Sequence, residues 1–424
     1  MQTAERSPSR ETAHRSVALL LALNLLNYID RLVLAAVLPA IQAEFFLADG
    51  TKARGLMGTL STAFLVSYMV GAPIFGRLAD VMPRWKLIGL AVVGWSLASG
   101  ASGLAGSFTG LLITRLLVGI GEAAYGPAAP TVLADLFPAE RRGQVLAWFY
   151  MAIPVGSALG YALGGFMAAH WHWRWAFYLV VVPGLLLGVA CFFMPEPLRD
   201  GANRQSDVGR SARWADYLLL LRTPSYVFDT LGMTALTFAV GGVAYWMPDY
   251  IHVFRGEPGL ERVNLIFGAI TVVSGISATL LGGWAGDRLV HRLPGAYFLV
   301  SGVAMLFAFP CFQLALAVPF PWCWAFVFLA EFCLFFNTGP TNTIIANVTH
   351  PSVRATAFAL NILIIHLLGD AVSPPLIGWL SDRFNGDMNV GFSAVSAAIV
   401  VGAVFWLRGA RYLGRDTALA AGCR

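Results

Sequence analysis

Residues 76–80 read GRLAD, and residues 283–287, which lie 207 positions further along the chain, read GWAGD. A second pair of stretches has nearly the same spacing, because ADLFPAERRG at 134–143 corresponds to ANVTHPSVRA at 346–355, an offset of 212. Each of the four stretches lies at the end of a long apolar run. Two separate motifs that repeat at almost one offset indicate that the chain is built from two similar halves in parallel order.

The composition indicates a protein whose main solvent is the lipid bilayer. Hydrophobic residues make up 58% of the 424 residues and charged residues only 12%, against roughly 45–50% and about 25% in soluble proteins. The excess of 28 Lys and Arg over 23 Asp and Glu is small and dispersed, so no nucleic-acid partner is expected. The five cysteines form no CxxC pair, and we predict no disulfide framework, no metal site and no cofactor.

Apolar runs long enough to cross a bilayer as helices, at roughly 20 residues each, occur twelve times. They are 17–45, 56–76, 86–106, 109–132, 143–169, 174–194, 223–250, 263–285, 294–316, 321–346, 356–380 and 389–409. The fold class predicted from this pattern is an all-α integral membrane protein of 12 transmembrane helices in two pseudo-symmetric six-helix bundles. Its domains are an N-terminal tail at 1–16, the two bundles at 17–195 and 223–409, a linker at 196–222 and a C-terminal tail at 410–424.

The basic residues of the loops predict the orientation. If both termini and the linker are cytoplasmic, the inner segments hold about 20 Lys and Arg and the outer loops six, as the positive-inside rule requires. The remaining two, Arg31 and Arg115, then lie at membrane depth. We predict a multi-pass protein of the inner or cell membrane, with both termini in the cytoplasm, and a monomer.

Ionisable side chains at membrane depth cost roughly 2.5–3.5 kcal/mol each and are therefore candidates for function. They are Asp30, Arg31, Arg115, Glu122, Asp229, Glu331, His366 and Asp370. Two six-helix halves in parallel order are a transporter architecture. The first four of these residues are therefore predicted to couple transport to protons, because a carboxylate that loses a neighbouring arginine takes up a proton. A static ion-pair network in which these charges only cancel one another is the alternative. Asp229 and Glu331 fit a structural or interfacial role equally well.

Aromatic and apolar residues dominate the predicted walls of the substrate site, which favours an amphiphile over a sugar. The candidate substrate contacts are Tyr28, Arg31, Tyr125, Phe238, Trp246, Glu331, Phe335, His366 and Asp370. The same two arginines would also serve a small organic anion or a drug. The loops are short and lack the dense polar cluster that a membrane enzyme needs, so no enzymatic activity is expected.

Charged residues at the cytosolic ends of the spans, together with one glycine, are predicted to form a latch that holds the inner side closed. The latch residues are Gly76, Asp80, Arg84, Asp135, Arg142, Asp287 and Arg354. Within span five, small residues recur from Gly156 to Gly165, which favours close helix packing.

Several motifs together resemble a known transporter family. Gly76 to Asp80 with Arg84, and Arg115-xxx-Gly119-x-Gly121-Glu122, resemble signatures of the major facilitator superfamily. The stretches NYIDR (27–31), GEAAYGPAAPTVLADLFP (121–138), IPVGSALGYALGG (153–165), WRWAF (173–177) and HLLGDAVSPPLIGWLSD (366–382) resemble the spinster family.

The resemblance implies a carrier of lysolipids, such as lysophospholipids or sphingosine-1-phosphate-like amphiphiles, that works by alternating access with proton coupling. It also implies that Asp30, Arg31 and Glu122 form the proton-linked switch with Arg115 beside it, and that His366 and Asp370 lie near the headgroup. The expected partners are an amphiphilic anion, protons and membrane lipids.

Overall fold

The computed structural model describes residues 10–46, 53–137, 139–196, 214–350 and 353–422, and every regular element within these ranges is helical. The helices of the first half are α1 Arg10–Phe45, α2 Arg54–Val81, α3 Arg84–Gly103, α4 Phe108–Leu136, α5 Ala139–His170 and α6 Trp173–Cys191. They are followed by α7 Trp214–Arg222, α8 Pro224–Asp249, α9 Leu260–Val290, α10 Ala296–Ala317, α11 Trp322–Phe335, α12 Thr338–Val348, α13 Arg354–Ile365, α14 Ser373–Arg383 and α15 Met388–Gly422. Two π-helical turns, Tyr250–Phe254 and His366–Asp370, follow α8 and α13.

Eleven helical segments of the described chain are long and apolar enough to cross a membrane. The all-helical membrane fold is therefore confirmed. The span predicted at 86–106 corresponds to α3, which is not among the eleven. Its 20 residues include Arg84, Lys86 and several serines and glycines, which lower its mean hydropathy.

Three predicted segments differ from the helices observed. The span at 321–346 consists of two helices, α11 and α12, which are separated at Phe336 and Asn337. The span at 356–380 contains the π-helical turn between α13 and α14. The final helix continues past the predicted end at 409 to Gly422, so the described part of the C-terminal tail is helical.

The chain divides into two compact units. Unit 1 comprises Met1–Ala48, Thr59–Asp207 and Ile251–Gly268, and unit 2 comprises Asp49–Gly58, Val208–Tyr250 and Ala269–Arg424. The predicted bundles at 17–195 and 223–409 differ from these units in the assignment of residues 49–58 and 251–268.

In unit 1, glycines allow α5 to approach α1 closely. A Cβ atom at Gly156 would lie 2.7 Å from the carbonyl oxygen of Leu25, and one at Gly160 would lie 2.7 Å from that of Ile29. These distances are shorter than van der Waals contact. The small residues of span five therefore serve helix packing, as their spacing predicts.

In unit 2, large aromatic side chains fill the core between α8, α10 and α15. The ring of Phe392 contacts the rings of Tyr250 and Phe312 edge to face, with centroids 5.0 Å and 5.6 Å apart. Trp406 is completely buried and lies against Gly232 of α8. This core fixes the helices that carry the polar residues of unit 2.

Candidate functional site

The charged centre of unit 1 is a buried ion pair between Arg31 of α1 and Glu122 of α4. Arg31 Nε lies 2.7 Å from Glu122 Oε2, and the exposed fractions of the two side chains are 22% and 0%. The guanidinium carbon also lies 5.0–5.1 Å from the ring centroids of Tyr28, Phe64 and Tyr68. Such rings stabilise a cation through their quadrupoles. The arginine thus has one charged partner and three aromatic ones, and part of its side chain stays exposed.

Two glycines flanking Ile120 place Glu122 between its neighbouring helices. Gly121 lies against Trp95 of α3, where a Cβ atom would be 2.7 Å from the tryptophan Cβ. Gly119 lies against the backbone of Phe64 and the hydroxyl of Ser67 in α2. Larger residues at either position would push α2 or α3 away from α4. The glycines of the span-four motif therefore have a packing role that sets how closely α4, which carries the carboxylate, approaches α2 and α3.

Asp30 and Arg115 form a second polar centre in unit 1. Ser99 Oγ donates a hydrogen bond to Asp30 Oδ1 over 2.5 Å, and Arg115 Nη2 lies 2.5 Å from Ser102 Oγ one helical turn further along α3. The four predicted coupling residues thus lie in one unit, and both centres adjoin α3.

In unit 2, the predicted headgroup residues meet in the π-helical turn. Nδ1 of His366 lies 2.9 Å from Asp370 Oδ2, and the side chains are 35% and 20% exposed. The amide of Ala371 bonds to the carbonyl of His366 over 3.1 Å, five residues back, which defines the wider turn. Gly241 of α8 lies directly against Asp370. Turns of this kind occur often at functional sites.

Two further acids lie deep in unit 2. Glu331 of α11 is 5% exposed, and it accepts hydrogen bonds from Thr271 Oγ1 over 3.3 Å and Ser274 Oγ over 3.2 Å. Asp229 of α8 is completely buried. Both hydroxyl donors come from α9, so Glu331 links α11 to α9.

The predicted aromatic substrate contacts fall into two groups. Tyr125 and Trp246 are buried. The hydroxyl of Tyr125 donates a hydrogen bond to the Leu20 carbonyl over 2.7 Å, and the indole N–H of Trp246 donates one to the Pro374 carbonyl over 2.9 Å. Their positions are those of helix-packing residues. Phe238 and Phe335 are half-buried and retain accessible ring surface.

Two predicted latch residues, the buried Arg84 and the half-buried Asp135, form a network with the exposed Glu196 at the start of α3. Arg84 Nη1 lies 2.6 Å from Asp135 Oδ2, and Arg84 Nε lies 3.0 Å from Glu196 Oε1. Glu196 also accepts the backbone amides of Arg84 and Trp85. The sequence did not predict Glu196 as a latch residue, because no local pattern indicates that its side chain caps a helix that begins 112 positions earlier in the chain.

The other latch candidates are less connected. Asp287 accepts a hydrogen bond from Tyr297 over 2.9 Å, and Arg354 is the first residue of α13. A Cβ atom at Gly76 would lie 3.7 Å from Cβ of Pro127. The side chains of Asp80 and Arg142 lie outside the described part of the structure.

A buried cluster in unit 2 was missed by the sequence analysis. Arg54, which lies in the predicted outer loop between the spans at 17–45 and 56–76, is only 5% exposed, and its Nε lies 3.5 Å from Asp249 Oδ2. Asp382 accepts the backbone amides of Arg54 and Gly55 over 3.2 Å and 2.7 Å. Partners more than 190 positions apart in the chain leave no local pattern, so only the folded structure brings them together.

Among the residues that the structure describes, no group of three or more His, Cys, Asp or Glu side chains is placed to hold a metal ion.

Comparison with known proteins identifies the family. The sequence model of the Major Facilitator Superfamily matches residues 20–374. Protein spinster homolog 3 of Danio rerio is 36% identical over 441 residues, covering 97% of this chain and 87% of the relative. Protein spinster homolog 1 of Homo sapiens is 41% identical over 392 residues, covering 87% of this chain and 72% of the relative. The chain belongs to the spinster family of the Major Facilitator Superfamily. It is therefore a multi-pass membrane protein and a secondary transporter of a small molecule, not an enzyme.

Solved structures show the same fold. A bacterial homolog of the human lysosomal transporter spinster, in an inward-facing and unoccupied conformation, superposes with a TM-score of 0.77 at 21% identity, covering 98% of this chain and 99% of that one. A D-xylose-proton symporter gives a TM-score of 0.74 at 18% identity, with 92% and 96% covered. The spinster fold predicted from the motifs is thus confirmed.

Proposed function

We propose that this spinster protein is a proton-linked transporter of lysolipids that works by alternating access. The observation that carries the proposal is the Arg31–Glu122 pair. Arg31, whose side chain is 22% exposed, lies 2.7 Å from the fully buried carboxylate of Glu122, and we propose that an anionic headgroup reaches the arginine and not the acid.

Charge balance supplies the coupling. A phosphate group binds a guanidinium through two parallel hydrogen bonds. When the phosphate pairs with Arg31, Glu122 loses its partner, and an unpaired carboxylate in this apolar setting becomes neutral by taking up a proton. Release of the lipid restores the ion pair and frees the proton. Asp30 and Arg115 supply a second carboxylate and a second guanidinium in the same unit. Asp30 is proposed to take up a proton in the same cycle, while Arg115 stays charged.

The aromatic rings around the charged residues favour an amphiphilic substrate. Three aromatic rings border Arg31, and Phe238 and Phe335 leave ring surface accessible in unit 2. We propose that the acyl tail packs on such rings and that His366 and Asp370 contact the headgroup, since their side chains are 35% and 20% exposed. Glu331 is proposed as a further contact, as its carboxylate is held by two hydroxyl groups.

A small organic anion or a drug is the second candidate substrate. It is favoured by the same partly exposed guanidinium, which recognises a carboxylate as well as a phosphate. The two candidates differ in how affinity depends on an apolar tail.

The remaining proposals concern orientation and control. The bias of loop arginines and lysines supports cytoplasmic termini in the inner or cell membrane. The Arg84–Asp135–Glu196 network is proposed as one part of a cytosolic latch with Gly76, Asp80, Arg142, Asp287 and Arg354.

The test is uptake into proteoliposomes with an imposed pH gradient. Lysophospholipids with acyl chains of decreasing length are compared with organic acids that carry no acyl chain. The proposal expects pH-driven uptake of the lipids and a loss in affinity corresponding to about 0.8 kcal/mol for each methylene that is buried. Uptake of the acids with indifference to tail length would instead establish the organic-anion function.

A further inference from the structure

An apolar groove opens on the surface of unit 2 between α9, α10 and α11. It has a volume of about 360 Å³, and its lining includes Leu289, Val303, Phe307, Phe332 and Cys333. Every lining residue is apolar or a cysteine. Val303 and Phe307 are 44% and 62% exposed, so the groove opens outward from the unit.

The length of the groove suits a hydrocarbon chain. Its lining on α10 runs from Leu299 to Phe307, which at 1.5 Å per residue is about 12 Å. One leaflet of a bilayer has a hydrocarbon thickness of about 15 Å. A single acyl chain that lies parallel to α10 would therefore have apolar contacts for most of its depth in the leaflet.

Basic side chains stand at the end of the groove where α9 ends. Val290 ends α9, and a turn follows in which the amides of Arg292 and Leu293 bond to the carbonyl of Leu289 over 2.9 Å and 3.0 Å. Arg292 therefore lies within one turn of Leu289, which lines the groove together with Ala285. Arg292 is exposed, and the described residues give it no ion pair.

The charges around Arg292 leave a net positive end. Arg288 is also exposed, with its guanidinium carbon 5.8 Å from the ring centroid of Trp284. Asp287, the acid in this segment, accepts a hydrogen bond from Tyr297. His291 is exposed between the two arginines. A chain-shaped apolar groove with a cationic end has the complementarity expected for a lipid that carries a negative headgroup.

We propose that this groove binds one acyl chain of an anionic glycerophospholipid of the membrane, with the lipid phosphate against Arg292. The lipid is proposed as a bound partner of the carrier and not as its transported substrate, since none of the residues that line the groove is a proposed substrate contact. The proposal therefore does not depend on which molecule is transported.

The test uses the full chain in detergent micelles and native mass spectrometry. Phosphatidylglycerol and phosphatidylcholine with identical acyl chains are the probes, because they share tails and differ in headgroup charge. Val303→Trp fills the groove, and its matched control is Leu306→Trp, at a 46% exposed position of α10 that does not line it. Arg292→Ala removes the headgroup contact, and its control is Arg408→Ala, at another exposed arginine of unit 2.

The wild type is expected to retain phosphatidylglycerol in preference to phosphatidylcholine. Val303→Trp should lose the bound lipid while Leu306→Trp keeps it. Arg292→Ala should weaken phosphatidylglycerol about fivefold, as expected for one basic residue near a membrane surface, and leave phosphatidylcholine unchanged. Arg408→Ala should change neither.

Alkylation of Cys333 provides a measurement on the wild type, so it does not depend on the folding of any variant. Because Cys333 lines the groove, phosphatidylglycerol should slow its modification by a maleimide, located by peptide mass spectrometry, more than phosphatidylcholine does. Equal retention of both lipids with no protection of Cys333 would overturn the proposal, and so would equal lipid loss in Val303→Trp and Leu306→Trp.

Discussion

Arg31 pairs with Glu122, 91 positions away, and not with Asp30, its neighbour in the sequence: Arg31 Nε lies 2.7 Å from Glu122 Oε2. Successive residues of an α-helix point about 100° apart, so Asp30 faces α3, where Ser99 donates to it. Arg31 faces α4 and the rings of α2. The two acids near Arg31 therefore have different partners, and single substitutions can separate their roles.

Glu122→Gln is expected to abolish pH-driven uptake, because glutamine keeps the shape of the side chain and cannot exchange a proton. The protein should still fold and insert. Uptake into proteoliposomes at an imposed pH gradient gives the result. Glu44→Gln is the matched control, since Glu44 also pairs with an arginine, Arg174, over 2.7 Å but is 34% exposed. Full pH-driven uptake by Glu122→Gln would assign the coupling to another residue. Asp30→Asn then tests whether that residue is Asp30.

Arg31→Lys is expected to weaken binding of a phosphate-bearing lysolipid about tenfold or more, since lysine keeps the charge but not the planar fork that binds phosphate bidentately. Affinity for the lipid is measured directly by titration. Arg288→Lys changes the same residue type beside an aromatic ring at an exposed position and should leave affinity for the substrate unchanged. Unaltered binding by Arg31→Lys would argue against this arginine as the anion site.

Arg84→Ala is expected to destabilise unit 1 by about 1.5–3 kcal/mol, because it removes the charge-assisted hydrogen bonds that the buried guanidinium makes. Asp135 and Glu196 would both lose their contacts with Arg84. Arg15→Ala, which breaks an exposed pair with Glu11, should cost less than about 1 kcal/mol. Thermal unfolding in detergent compares the two, and similar losses would show that the Arg84 network is not a stabilising element.

Asp80→Asn is expected to shift the population toward an inward-open state if the cytosolic latch operates as proposed. Cysteines introduced on the cytosolic side should then be labelled faster than in the wild type. Glu261→Gln, at an acid predicted to lie on the opposite side of the membrane, serves as the control. Equal labelling of the two variants would contradict a role of Asp80 in closure.

Gly160→Ala is expected to destabilise the protein by about 1–3 kcal/mol, the usual cost of overpacking, because its Cβ atom would meet the carbonyl oxygen of Ile29 at 2.7 Å. The displaced α1 carries Asp30 and Arg31, so transport should fall as well. Gly94→Ala has no atom within 4 Å of the new Cβ and should stabilise α3 by about 0.5–1 kcal/mol. Thermal unfolding of the pair separates a packing role from helix propensity.

The sequence by itself determined the environment and the family of this protein. Apolar runs of membrane-spanning length require helices, because a backbone in lipid must satisfy its own hydrogen bonds. Arg31, Arg115 and Glu122 were identifiable because a charge within such a run is costly and needs a reason. The motifs around them, such as NYIDR at 27–31, sufficed to identify the spinster family.

Only the tertiary structure decided the partners. Whether an arginine in a helix pairs with the acid beside it or with one on another helix depends on how the helices are rotated and packed, and that is set by contacts such as Gly121 on Trp95. The same reason explains why Arg54 is buried with Asp249 and not exposed in a loop, and why Tyr125 fills the core of unit 1. The local sequence gives the chemistry of each side chain. It does not give the residue that faces this side chain across a helix interface, because that residue comes from a distant part of the chain.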